Sequence, residues 1–236
     1  MTDTADLDME TPARPSSGKR AQTDRVYDRL KHMILEGELL PGGFVLQEEL
    51  GDRIGVSRTP IREALIRLQS EGLIEIRPRH GMRVLPVSVS GMREIYEVLT
   101  GLEAHAAKIV AERGAETATL AKLDEAVAEM DRALAIDDLA AWAEADDRFH
   151  TTLVAATGNQ RLIDIMSKIF DQAYRVRKLT LKLRPKPVRS NAAHRAVVEA
   201  IRDRDQQSAY RIHEQHRRES GKMLIALLEK LEITAA

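Results

Sequence analysis

Apolar residues recur with helical spacing along almost the whole chain. Val26, Leu30, Met33 and Ile34 share one stripe, Thr23 stands where a cap is wanted, and Gly37 closes the segment. Leu39-Leu40-Pro41-Gly42-Gly43 reads as a connector to a short helix carrying Leu46, Leu50 and Ile54. Gly55 permits a tight turn. Ile61, Ala64, Leu65 and Leu68 then follow at i, i+3, i+4, i+7 until Gly72 stops the helix. Ser57 or Thr59 can cap its start, and Pro60 is tolerated in a first turn. The pattern then turns strand-like over 73–76 and 82–85, around the basic turn Arg77-Pro78-Arg79-His80-Gly81. Three helices followed by a basic hairpin predict a winged helix-turn-helix.

From about residue 88 the pattern is helical to the end. Its stripes are Val98, Leu102 and Ile109; Leu120, Leu123, Val127, Met130 and Leu134; Trp142, Phe149 and Leu153. Three more follow: Leu162, Ile165, Met166, Ile169 and Phe170; Val197, Val198 and Ile201; Ile212, Met223, Leu224, Leu227 and Leu231. Breaks fall at Gly114, Asp137-Asp138, Gly158-Asn159, Pro185 with Pro187, and 203–205. The fold expected is mainly α: an N-terminal winged helix-turn-helix and a C-terminal antiparallel all-α bundle of about six helices. The domain limits are 1–20 for a polar, Pro- and Ser-containing disordered tail, 21–86 for the winged domain and 87–236 for the bundle.

Composition adds limits. Hydrophobic residues make up 43% of the chain, enough for real cores, and aromatic residues only 3%. The absence of Cys excludes disulfides, thiol catalysis and zinc knuckles and allows a cytoplasmic location. No apolar run approaches the roughly 20 residues of a membrane span. The acidic start (Asp3, Asp6, Asp8, Glu10) is wrong for a secretory leader. A net charge of −1 hides a positive stretch from Arg53 to Arg83, with seven Arg against three Glu. Such local asymmetry fits a nucleic-acid face.

The chemistry for that face is present. Arg58 and Arg62 stand four residues apart at a helix start, and Arg can pair bidentately with guanine in a major groove. Ser57 and Thr59 offer hydroxyls to phosphates, aided by the helix dipole. Arg79, His80 and Gly81 can reach a minor groove or phosphates from the hairpin tip. The competing expectation is a small helical domain whose Arg residues are pinned by Glu63 or Glu71.

A second constellation lies in the bundle. Asp146 and His150 share a stripe with Trp142, Phe149 and Leu153; His194 lies with Val197 and Val198, and His216 with Ile212 and Met223. Buried polar groups need partners. Asp and His at i, i+4 can chelate one ion, and two further imidazoles can close the site for zinc or nickel first, manganese or iron otherwise. Spacing alone does not bring three helices to one point, and a lone helical His is ordinarily a satisfied core residue. His105 lies on an apolar stripe, Asn191 stands one turn before His194, and Arg175 stands with Tyr174 and Arg177 late in the fourth stripe. These three are candidates for binding a small effector.

The motifs Leu46-Gln47-Glu48-Glu49-Leu50, 55–65 and Glu71-Gly72-Leu73-Ile74, with the wing at 79–84, resemble those of the GntR family of bacterial transcription regulators. The C-terminal half is similar to the FCD effector domain of its FadR subfamily, and six helices suggest the VanR-like branch. The resemblance implies a homodimer that binds a palindromic double-stranded DNA operator and responds to a small metabolite, a carboxylate first. Metal-binding FCD members carry Asp-x-x-x-His on one helix and one His on each of two later helices. Asp146, His150, His194 and His216 match those places; His213 is a rival to His216, which fits the family spacing better. One departure stands out: many relatives carry an Arg near Leu99 or Thr100, and its absence here puts an ordinary organic-acid effector in doubt. Two alternatives stay open, a metal-dependent enzyme tethered to DNA and a metal sensor with no organic effector. No His-Glu-x-x-His or other catalytic signature favours the enzyme.

Overall fold

The computed structural model describes residues 17–78 and 80–231. Arg79 and positions 1–16 of the expected tail lie outside the described residues. Helix α1 (Ser17–Leu35) already begins inside that expected tail. Thr23 is therefore no cap: its hydroxyl donates across to Glu63 at 2.6 Å. After α1 come β1 (Phe44–Val45), α2 (Gln47–Ile54), α3 (Arg58–Ser70), β2 (Ile74–Arg77) and β3 (Gly81–Val84). The sheet is antiparallel in the order β1-β3-β2. The two-residue β1 was not legible in the sequence, because so short a segment carries no periodicity. Gly81 makes room for it: φ is +84°, and a Cβ there would fall 2.9 Å from the Leu46 Cα. The core of this unit is Val26, Leu30, Leu50, Ile61, Leu65, Leu68 and Met82, all buried.

The C-terminal half is a bundle of α4 (Val89–Arg113), α5 (Thr117–Ala135), α6 (Leu139–Ala155), α7 (Gln160–Thr180), α8 (Val188–Arg202) and α9 (Gln206–Lys230). A 3₁₀ turn at Leu181–Leu183 separates α7 from α8. The starts of α4, α6, α7 and α9 are capped by side chains. Ser88, Asp138, Asn159 and Asp205 accept backbone N–H bonds from Gly91, Ala141, Leu162 and Ser208. The helix breaks expected from Gly, Asp and Pro all fall at helix ends.

The inward faces of α4 and α9 differ from the stripes read in the sequence. Val98 is 42% exposed, and α4 instead buries Tyr96, Leu99, Glu103, Ala106, Ala107 and Val110. Met223 is 36% exposed, and α9 buries Ala209, His213, His216, Arg217, Gly221, Leu224 and Leu228. The inward faces mix aliphatic with small and charged residues, and of the aliphatics read as stripes on these two helices only Leu224 is fully buried. Gly221 lets the two helices approach closely, since a Cβ there would meet the Tyr96 ring at 2.7 Å.

Helix α7 also docks the winged unit. Lys31 pairs with Asp171 and Lys178 with Glu36. Gln172 Nε2 donates to the Glu71 carbonyl at 2.9 Å, and Arg175 Nη2 to the Leu85 carbonyl at 2.8 Å. Among the described residues no helix is long and apolar enough to cross a membrane.

Burial is the largest influence on Asp171. With Glu71 and Asp147 nearby it outweighs Lys31 and raises the carboxyl to about 6. The folded chain therefore holds this proton to higher pH than the unfolded chain, and stability falls as pH rises from about 4 to about 6. Asp171→Asn cannot ionise. Its stability relative to the parent should improve by about 1–3 kcal/mol between about pH 4 and pH 7 in urea melts. A difference independent of pH would show that burial does not govern this group.

Candidate DNA-reading face and metal centre

Helix α3 presents two faces. Pro60, Ile61, Ala64, Leu65 and Leu68 are buried, while Ser57, Arg58, Thr59 and Arg62 are exposed. Gly55 sits in the left-handed region at φ +76° and turns the chain from α2 into α3. Ser57 occupies the N-cap position without making a side-chain capping bond, so its hydroxyl stays available. Arg58 meets Glu48 at 3.0 Å, with both side chains more than 60% exposed, a contact that solvent makes weak. Glu63 and Glu71 do not pin Arg58 or Arg62. Glu63 accepts from Thr23, and Glu71 accepts from Tyr27 at 2.8 Å and lies near Lys31 and Arg67. At the wing His80 is exposed and Gly81 half-buried. Beside them Phe44 lies under Arg77 and Arg83, at 5.6 and 5.8 Å from ring centre to guanidinium.

In the bundle, α6 brings Asp146 and His150 to the axis, α8 brings His194 and α9 brings His216. All four are buried. His150 Nε2 and His194 Nε2 are 3.2 Å apart, and Asp146 Oδ1 lies 3.5 and 3.7 Å from them. Donor atoms of His150, His194 and His216 all fall within 4.8 Å of one another. Ligand atoms sharing an ion at about 2.0–2.2 Å stand roughly 3–3.5 Å apart, so these residues fit a divalent ion. Burial, then His216 and His150, hold the His194 imidazole well below its ordinary range; burial and Arg217 do the same for His216. Both rings are therefore neutral, the form that binds metal. Burial pushes Asp146 up, but His150, Arg177 and His194 together hold it well below the usual carboxylate range.

Two neighbours of this centre, Glu103 and Arg217, were missed in the sequence. Glu103, fully buried on α4, lies against His150 Nδ1, approaches His213 Nε2 at 3.3 Å and accepts from Arg217 Nε at 2.5 Å. Burial raises its carboxyl, yet Arg217, His150 and His213 outweigh that and keep it ionised. A proton on Nδ1 facing this carboxylate leaves the Nε2 lone pair of His150 turned to the centre. His213 thus stands behind the centre, beside Glu103, while His216 faces it. Arg177 binds Asp146 at 2.6 Å and Asp147 at 2.9 Å. The one available signal for Glu103 was its place a helical turn from Leu99 and from Ala106 and Ala107.

A cavity of about 460 Å³ opens over the centre, with Asp146, His216, Tyr96, Arg177, Arg184 and Arg217 in its wall. The three effector candidates named from sequence lie elsewhere. Asn191 is engaged by other side chains, accepting from Trp142 Nε1 and donating to Asp131, each at 2.8 Å. Arg175 is occupied by Leu85 at the domain junction. His105 faces outward beside Lys108 and Arg211, because the α4 stripe used to place it is not the buried one.

Residues 94–219 match the FCD domain, and residues 22–84 match the bacterial regulatory proteins of the gntR family. An HTH-type transcriptional regulator in the TAR-I ttuE-ttuC' intergenic region of Agrobacterium vitis is 36% identical over 145 residues, covering 61% of this chain and 85% of that protein. The HTH-type transcriptional repressor RspR of Escherichia coli K12 is 27% identical over 90% of this chain and 92% of its own length. Among solved structures, E. coli McbR/YncC shares the fold with a TM-score of 0.75 at 20% identity, covering 87% of this chain and 98% of that one. These families and relatives are regulators, not enzymes, which sets aside the tethered-enzyme alternative. The chain belongs to the GntR family of bacterial DNA-binding transcriptional regulators and carries an FCD domain in its C-terminal half.

Proposed function

We propose that this regulator binds one divalent transition metal through Asp146, His150, His194 and His216, and a small anionic metabolite in the adjoining cavity, and that the metabolite modulates operator binding. The observation that carries the reading is the convergence of three imidazoles and one carboxylate from three helices at the wall of a basic cavity. The donor set suits zinc or nickel, with manganese or iron as alternatives. When bound, such an ion supplies a Lewis-acidic point for a ligand oxygen. Glu103 orients His150, and Arg177 keeps Asp146 ionised and in place.

On the DNA side, Arg58 and Arg62 read base edges, Ser57 and Thr59 contact phosphates, and the wing residues Arg79, His80 and Gly81 track the neighbouring backbone. A palindromic operator requires two copies of the chain. An apolar strip on the outer face of the bundle suits a homodimer: Val98 and Ile165 are 42% and 50% exposed, with Ile95, Leu102 and Ile169 half-buried beside them. A cytoplasmic location follows from the DNA partner. The ligand acts only through a difference in affinity between arrangements of bundle and winged unit.

Arg62→Ala should lower operator affinity about 10–100-fold at fixed salt, the value of one Arg–guanine pair, and leave the thermal melt unchanged. Equal affinity in an anisotropy titration would remove Arg62 from base reading. Chelator-treated protein should take up about one zinc per chain. His194→Ala should abolish this uptake, and Glu103→Gln should weaken it about 10–100-fold. If His194→Ala binds zinc as tightly as the parent, the centre lies elsewhere.

A further inference from the structure

The wing sheet has an outer face that the core does not use. Strand alternation buries Met82 and Val84 of β3 and turns Gly81 and Arg83 outward. Pairing carries the outward set across the sheet. Phe44 of β1 and Glu75 of β2 stand opposite Arg83, and Arg77 stands opposite Gly81, which brings no side chain to this face. Phe44 is 47% exposed, and Leu46, beside Gly81, is 52% exposed. The His80 ring lies 6.3 Å from the Phe44 ring, so the face runs on into the hairpin turn.

A lone exposed aromatic side chain is ordinary. Here the ring has cations beside it: the Arg77 and Arg83 guanidinium groups lie 5.6 and 5.8 Å from its centre. Glu75 is met by Arg77 at 3.1 Å. Arg83, although opposite Glu75 in the register, forms no ion pair among the described residues, and its Nε is buried without a hydrogen-bond partner. A guanidinium only donates, so what this face lacks is an anion.

We propose that Phe44, Arg77 and Arg83 form a further DNA contact, on the outer face of the sheet, that grips the deoxyribose-phosphate backbone beside the wing tip. Along a DNA strand each deoxyribose offers an apolar edge with a phosphate on either side. The ring packs on the sugar, and the guanidinium groups take the neighbouring phosphates. Such a contact positions the duplex without reading its bases. The proposal rests on the winged unit being the DNA-binding part, and none of its three residues belongs to α3.

The test uses the full-length chain and a duplex that it selects from random sequence, with a scrambled duplex beside it. Anisotropy gives affinity against salt, hydroxyl-radical cleavage maps protected deoxyriboses, and dimethyl sulfate maps protected guanine N7. Phe44→Ala should weaken binding to both duplexes about tenfold. Arg83→Gln should lower the slope of log affinity against log salt by about one per bound chain. Both should lose the same patch of deoxyribose protection and keep guanine protection. Ile136→Ala, an exposed apolar residue at the α5 end, should match the parent. Salt slope and deoxyribose protection unchanged in both variants overturn the contact, while guanine protection shows that the reading helix stands. Deoxyribose protection lost by the variants of a chain that protects no guanine upholds the contact and overturns the Arg58 and Arg62 reading. If Phe44→Ala melts earlier than the parent, Arg83→Gln, with no ion pair to lose, decides alone. Dimer dissociation in sedimentation with deoxyribose protection retained gives the face to a second copy of the chain and overturns the proposal.

Discussion

The effector bundle depends on pairing charge where charge is expensive. Glu103, Asp146, His150, His194, His213, Arg177 and Arg217 sit where a helical bundle ordinarily places Leu and Ile. Isolated, any of the carboxylates or guanidinium groups among them would cost several kcal/mol to bury. Here each carboxylate faces both an arginine and an imidazole: Glu103 faces Arg217 and His150, and Asp146 faces Arg177 and His150. The arrangement fixes which helices can be neighbours. Helix α4 must face α9, α6 must face α7 and α8, and a register slip would strand a charge in an apolar layer. A polar centre of this kind specifies one packing more tightly than interchangeable aliphatics do. It also brings imidazole nitrogens of His150, His194 and His216 within 4.8 Å of one another.

The same constraint gives α7 two roles. Its inward residue Arg177 holds Asp146 at the centre, and Leu181 and Arg184 just beyond its end join the cavity wall. Two to six residues earlier, Asp171, Gln172 and Arg175 hold Lys31, Glu71 and Leu85 of the winged unit. A helix moves nearly as a rigid rod, so a shift imposed at Arg177 is felt at Arg175 and Gln172. The winged-unit side of this contact is itself a network. Glu71, held by Gln172 through its carbonyl, binds the Tyr27 hydroxyl, and Arg67 of α3 lies 3.6 Å over the Tyr27 ring. The physical link from cavity to reading helix is thus a short series of named contacts. Coupling energy along it is a matter for double-mutant cycles.

The winged unit was legible in sequence wherever local chemistry decides structure. Gly55 as the turn, the stripe Ile61, Ala64, Leu65, Leu68 and the exposed pair Arg58 and Arg62 could all be read from spacing. The bundle's helix count and ends were equally plain, because Gly, Pro and capping Asp, Asn and Ser act locally. Facing was legible only where the core is aliphatic. On α5, α6 and α8 the stripes pointed inward, whereas on α4 and α9 Ala, Gly, Glu, His and Arg interrupt the few inward aliphatics. No hydrophobic period could find Glu103 or Arg217 there, and His105 was misplaced with the stripe that contained it. Asp146, His150, His194 and His216 could be grouped because they stood beside true core residues and matched a family pattern, and the structure brings them together.

The missing arginine near Leu99 shows how a pocket enclosed by several helices can redistribute charge. Leu99 is fully buried against Ala106, Val154 and Met166, so this position serves the apolar core in this chain. The guanidinium groups instead reach the cavity from α7, from the turn after it and from α9, beside Tyr96 of α4. Arg217 is the most instructive, because it follows the cavity-lining His216 directly and is anchored by Glu103, which also lies against His150. A carboxylate ligand was in doubt while α4 alone was considered. What an anion would require is donors around one space, and here the fold brings three guanidinium groups to one cavity from elements other than α4.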